Sequence, residues 1–211
     1  MMEQTKFPAL TQVVLPAFRD WITDWPKFIL VTVVWLLSLI TFVFAPPFTF
    51  GLFYVTKGLA YGDIMRLGKL WEGTKKYFWT SWWWLIMNVV VIAVLVGNIL
   101  FYGRFAASWS FIVQLLLVFL LLFWLIVQFY TIPYLMEQTE KSLKTALRNA
   151  VVTFFSSPGF TIVVVLVFLL LLVLSVVFVF PIFLGVPCLL ALIWSRAVRQ
   201  RIEEFNHEES I

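Results

Sequence analysis

Histidine and cysteine each occur once in 211 residues, and charged side chains make up only 12% of the chain. Each shortage removes a class of chemistry. The single histidine, His207, stands beside Glu208 and Glu209 in a polar tail. One histidine cannot supply the clustered ligands that hydrolytic zinc needs, and a solvated tail residue is the plainer reading. The single cysteine, Cys188, permits neither an internal disulfide nor a thiolate metal cage, a usage compatible with a bacterial inner membrane. No G-x-S-x-G elbow, Walker phosphate loop or dinucleotide fingerprint occurs. The sequence therefore assigns no catalytic, cofactor-binding or metal residue, and the expectation is a protein that is not an enzyme.

Low charge has a second consequence. A soluble domain carries about a quarter charged residues because water must wet its outside. Here 63% of residues are hydrophobic and the mean hydropathy is +0.99, so the expected solvent is lipid. The formal charge of +4 could suggest nucleic acid, but the basic residues cluster between apolar stretches, as in membrane proteins, so no nucleic-acid partner is expected. No cleavable leader is expected either, because the first basic residues precede an interrupted amphipathic segment.

Charge-free stretches mark the expected spans: Phe28–Thr56, Tyr77–Gly103, Phe105–Met136 and Asn149–Ser195. The last far exceeds the roughly 20 residues of one crossing, and Pro181, Gly185 and Pro187 interrupt it, which predicts a helical hairpin. Pro46-Pro47 divides the first stretch. If that pair is an outer tip, almost every Lys and Arg falls on the cytoplasmic side and only Arg104 lies outside. The predicted fold is an all-α helical bundle of six membrane segments, or five if Phe28–Tyr61 is one kinked span, with both termini cytoplasmic. An N-terminal interfacial helix (1–26) would precede one polytopic domain (27–202), followed by a frayed polar tail (203–211). Cys188 would then lie near an outer turn.

Pro16 followed by apolar residues at helical spacing predicts the interfacial helix, and Glu140–Phe154 predicts a second, with Glu140 and Lys144 four apart. Trp79, Trp82, Trp83 and Trp84 read as an aromatic belt, with a sugar-stacking surface as the sharper alternative. No acid or histidine enters a charge-free stretch, whereas proton-coupled transport commonly uses one. Asn88, Asn98, Gln114 and Gln128 are the intramembrane polar candidates. Hydrogen bonding between helices is the plainer reading, a polar solute path the sharper one. The basic residues of the loops, Arg66, Lys69, Lys75, Lys76, Lys141, Lys144 and Arg148, are candidates for contact with a partner or with anionic lipid. Lys57 is read as snorkelling to the boundary.

Three segments resemble a known family: VFAPP with FTFGLFYVTKGLAYGD (Phe48–Asp63), KLWEGTKKYF (Lys69–Phe78) and QFYTIPYLMEQTEKSLKTALRNAVV (Gln128–Val152). They are similar to the YesL-like bacterial integral membrane proteins, a family of unknown function, over about residues 20–202. The usual Gly before the proline is Pro46 here, and the Trp82–Trp84 run is heavier than the pattern. Members of that family are often encoded beside carbohydrate-uptake systems, so the resemblance implies a non-catalytic accessory or regulatory component of such a system. An ABC-type sugar permease or its ATPase would be the partner. Glu137–Gly159 does not reproduce the EAA-then-Gly coupling loop of a permease, because Lys141–Arg148 stands where the glycine should be. A small-solute transporter or channel acting alone is the alternative.

Overall fold

The computed structural model describes residues 9–105 and 107–208, and every regular element among them is helical. A π-helical turn at Ala9–Val14 leads into α1 (Leu15–Thr23) and α2 (Trp25–Ile40). Pro16 and Pro26 occupy their first turns, where the missing N–H costs no helical hydrogen bond. The chain bends by 93° between the two. There follow α3 (Ala45–Ala60), opened by the double proline, α4 (Leu67–Lys76), α5 (Phe78–Tyr102) and α6 (Ser108–Glu137). Then come α7 (Leu143–Ser156), α8 (Pro158–Phe178), the short α9 (Phe180–Phe183) and α10 (Val186–Glu208).

Three helices, α5, α6 and α8, are long and apolar enough to cross a membrane, or four if the bent α1–α2 pair counts as one span. Six segments are not supported. The 16 residues of α2 measure about 24 Å, short of a hydrocarbon core of about 30 Å. In α10 the apolar run ends at Trp194, and Arg196, Arg199 and Arg201 follow.

Helix α3 does not take the course its charge-free sequence predicts. Helices α5 and α6 run antiparallel, with Trp84 bonded to Gln128 at one end and Gln114 to the carbonyl of Ile99 toward the other. The double proline sits beside the first turns of α5, where Phe44 packs edge-on against Phe78 and Phe42 against Trp82. The opposite end of α3 carries Lys57, whose ammonium donates to the carbonyl of Met136 at the last turn of α6 (2.7 Å). Both ends of α3 therefore touch the same end of the α5–α6 pair. The helix lies across that end, so Pro46-Pro47 does not stand at the far end of the pair, where the tip of a spanning hairpin would be. A charge-free run records what a segment lacks, not the direction in which it travels.

The core gathers at this same end. In α6 the buried positions are Val127, Gln128 and the run Tyr130–Met136, with Ser110 alone near the start. In α8 they are Phe160, Thr161 and Val164, with Ser175 beyond. Trp194 of α10 is fully buried, stacked on Phe129 at 5.3 Å and edge-on to Tyr130 at 4.7 Å. The α3–α4 pair is close because two glycines remove the obstacle. A Cβ at Gly51 would lie 2.5 Å from Thr74 Oγ1, and one at Gly73 would lie 2.6 Å from Tyr54.

The expected break after α8 is present. Val179 and Gly185 take φ of +57° and +89°, and a Cβ at Gly185 would meet Phe28 at 2.8 Å. The chain then returns, so that Arg201 of α10 donates to Ser157 Oγ (2.8 Å) at the start of α8. Cys188 lies near the expected turn, in the first turn of α10 three residues after Gly185, and its side chain is buried. The second predicted amphipathic helix also exists, but Ser142 caps it by accepting from Thr145 N–H, so the helix begins after Glu140 and no Glu140–Lys144 pair forms. Ala146, Ala150 and Thr153 form its buried edge, with Leu143, Leu147 and Val151 packed beside them. The tail expected to fray from Glu203 stays helical through Glu208, supported by Arg199–Glu203 and Arg201–Glu204 ion pairs. The side chains of His207 and Glu208, residues 209–211, and Lys6 lie outside what is described.

Candidate binding cleft at the basic end

Where α3 ends, its last turn meets α4 and the segment after α6 around a cleft of about 540 Å³. Tyr54, Tyr61 and Tyr77 form aromatic walls, and four lysines line it: Lys57, Lys69, Lys76 and Lys141. Gln138 and Thr139 complete the rim. Local sequence explains the convergence. Gly62, with φ +87°, turns the chain after α3, and Gly73 lets α4 fold back against Tyr54. Lys69 is thereby returned to within hydrogen-bond reach of Asp63.

Two of the lysines are matched by carboxylates. Lys57 pairs with Glu137 at 3.2 Å, both side chains being largely shielded, and Lys69 pairs with Asp63. The other two are not. Among the described residues Lys76 and Lys141 form no ion pair; Lys141 donates to the backbone carbonyl of Lys76 at 3.1 Å. Lys141 stands 4.5 Å from the centre of the Tyr77 ring, and Lys76 lies over Tyr54 and Tyr77 at 5.3 and 5.8 Å. Aromatic faces attract cations, but more weakly than a carboxylate in the same place would. Desolvation, and then the neighbouring Lys76, holds the Lys141 ammonium below its ordinary range.

The tyrosines stay protonated. Burial, followed by the hydrogen bond to Glu72 (2.8 Å), pushes Tyr54 up to about 12. Burial, and then the charge of Glu137, pushes Tyr61 up to about 12, its hydroxyl donating to that carboxylate at 3.1 Å. Both hydroxyls are thus spent on carboxylates, which leaves the ring faces and the lysines as the groups that could receive a ligand.

The structure divides the seven basic candidates. Lys69, Lys76 and Lys141 meet in the cleft. Arg66 is exposed just before α4, Lys75 lies over the indole of Trp71 at 5.0 Å, and Lys144 and Arg148 are exposed on the outer side of α7. Lys57 and the three tyrosines were missed as site residues. Lys57, Gly58 and Tyr61 carried a signal in their spacing: a cation and an aromatic ring four residues apart share a helix face.

The intramembrane amides divide too. Gln128 Oε1 accepts from Trp84 (2.9 Å) and Asn88 (3.2 Å), and Asn88 Oδ1 accepts from Trp124 (3.0 Å). This amide–indole cluster clamps α5 to α6. Gln114 bonds Ile99 O (3.0 Å) well away from it, and Asn98 returns its amide to Val94 O (2.7 Å) on its own helix. The four do not line a common path. Asn88 and Gln128 border a separate cavity of about 490 Å³ whose other walls are mostly aromatic and aliphatic, including Trp35, Phe53 and Trp194. Of the tryptophan belt, Trp79 and Trp83 are exposed (74% and 65%), whereas Trp84 turns inward to Gln128. Among the described residues no three His, Cys, Asp or Glu side chains come together as a metal site.

No family model, no curated protein and no solved structure matches this chain.

Proposed function

We propose that this chain is a non-catalytic accessory protein of a bacterial plasma membrane that presents its basic end to a protein partner in the cytoplasm. One observation carries the reading: the acceptor oxygens of Asn88 and Gln128 are taken up between the two helices, while the exposed cations gather at one end. In lipid, amides bonded between helices act as adhesive, and the Asn88–Gln128 cluster consumes its acceptors in that way. The opposite end of the α5–α6 pair carries only Arg104 of the described lysines and arginines, an asymmetry that favours a cytoplasmic basic end. Both α1 and the last turns of α10 reach that end, through Asp20–Arg196 and through Arg199 at the carbonyl of Ala60. This orientation would put both in the cytoplasm.

Lys144 and Arg148 stand one turn apart on the exposed side of α7, which makes that helix the natural docking element. The partner class, an ABC-type sugar permease or its ATPase, rests on the resemblance of three segments alone. A solute carrier would need a continuous polar route, and the separation of Gln114 and Asn98 from Asn88–Gln128 weighs against one. The test is co-purification of the full chain in mild detergent, followed by charge reversal at Lys144 and Arg148. Recovery of a permease or ATPase that is lost from the variant supports docking. Saturable sugar or proton flux by the pure chain in liposomes would overturn the accessory reading.

A further inference from the structure

Bringing Lys76 and Lys141 together without a carboxylate between them is unfavourable unless something else is meant to stand there. Two ammonium groups at one site repel, and Lys141 is also partly desolvated by the wall it lies on. Surface lysines ordinarily swing apart into water. Here each is instead held against aromatic rings, and Lys141 is tethered to the backbone of Lys76. The acids set around the cleft are engaged elsewhere, Asp63 with Lys69, Glu137 with Lys57 and Tyr61, and Glu72 with Tyr54, and exposed Glu140, next to Lys141 in the chain, is not part of the lining. The cleft is therefore short of one anion.

We infer that the cleft between α3, α4 and the α6–α7 segment binds a phosphate group, with Lys76 and Lys141 as its principal ligands. A phosphate monoester carries close to two negative charges and three acceptor oxygens, enough to engage both ammonium groups at once. A single carboxylate would satisfy them less well. The cleft volume of about 540 Å³ exceeds what phosphate alone needs and lies in the range of small-molecule sites. The faces of Tyr54, Tyr61 and Tyr77 would flank whatever the phosphate is attached to. The phosphate could belong to a free metabolite or to a lipid headgroup, since the cleft opens at the end of membrane-spanning α6. This inference is independent of the docking reading, which uses Lys144 and Arg148.

Two experimental arms separate the sources. The full chain in phosphatidylcholine nanodiscs is titrated calorimetrically with inorganic phosphate and with glycerol 3-phosphate. In parallel, nanodiscs containing phosphatidic acid are washed with detergent, and retained lipid is counted by native mass spectrometry. Saturable binding of one phosphate group per chain is expected in at least one arm. Lys76→Gln and Lys141→Gln should each weaken it about tenfold or more, as loss of a charged hydrogen bond does. Lys75→Gln, outside the cleft, should leave it unchanged. Amine acetylation of the unaltered chain gives a readout that needs no variant: bound phosphate or phosphatidic acid should shield Lys76 and Lys141 but not Lys75 and Lys144. Absence of binding in both arms, or equal acetylation of all four lysines, would overturn the inference.

Discussion

The two ends of the α5–α6 pair are held together by different means. At the basic end, Asn88, Gln128, Trp84 and Trp124 share hydrogen bonds, and α3 and α10 close around them, with Phe168 of α8 packed against Phe129. At the other end, Gln114 on Ile99 O and Ser110 on Tyr102 O do the work beside a few aromatic rings. There Phe111, Leu116 and Leu100 are exposed. Apolar side chains gain little from meeting one another when the solvent is itself hydrocarbon, so close packing and polar contacts decide where helices stay joined. Uniform hydrophobicity along α6 thus conceals two halves with different duties.

The contrast is broken most directly by removing one large side chain from each half. Trp194→Ala should destabilise the fold by about 3–5 kcal/mol, the usual loss for a fully buried aromatic. Phe111→Ala, 66% exposed, should change stability by about 0.5 kcal/mol or less. Reversible unfolding in mixed micelles would compare them. Similar losses would mean that the exposed half of the pair is also a packed core.

A smaller effect sharpens the account of the amides. Gln128→Leu strands Trp84 and one bond of Asn88 and should cost about 0.6–1.7 kcal/mol, the range for hydrogen bonds within a membrane. Asn98→Leu removes only a bond to its own helix and should be nearly neutral. If Asn98→Leu proves the more damaging in the same unfolding assay, the amide–indole clamp is not what joins α5 to α6.

The sequence displayed the helical class, the long apolar spans, the break at Pro181–Pro187 and the α7 helix, because each depends on local pattern. It hid the course of α3. Nothing in Phe48–Ala60 distinguishes a helix that crosses lipid from one laid across the ends of others; that depends on Gly51 and Gly73 meeting α4, contacts between residues far apart in the chain. The loop lysines were visible as a group, yet their division into cleft and outer face required knowing that Lys141 returns to Lys76. Lys57 reads from sequence as a lone snorkelling cation because an amphipathic side chain at a boundary needs no partner, whereas here it has two, Met136 O and Glu137.

The smallest expected effect is the contribution of the cleft groups to the dependence of stability on alkaline pH. Lys141 gives up its proton more readily in the folded chain than in the unfolded one, because burial and Lys76 oppose its charge. Between its lowered value and the ordinary 10.5, the unfolded state binds more protons, so stability should rise with pH there. Tyr54 and Tyr61 act in the opposite sense. Their folded values near 12 lie above the ordinary 10, so from 10 to 12 the folded state holds the extra protons and stability should fall as pH rises. Unfolding in mixed micelles from pH 9 to pH 12 should therefore carry a shallow rise from Lys141 and a decline from the tyrosines, each read as the difference between a variant and the unaltered chain, because the buried Cys188 thiol, held above its ordinary 9, adds a decline of its own. Lys141→Gln should remove the rise, and Tyr61→Phe should soften the decline, with the late phenolate absorbance reduced to match. A profile untouched by either variant would mean that these groups do not feel the cleft as the geometry requires.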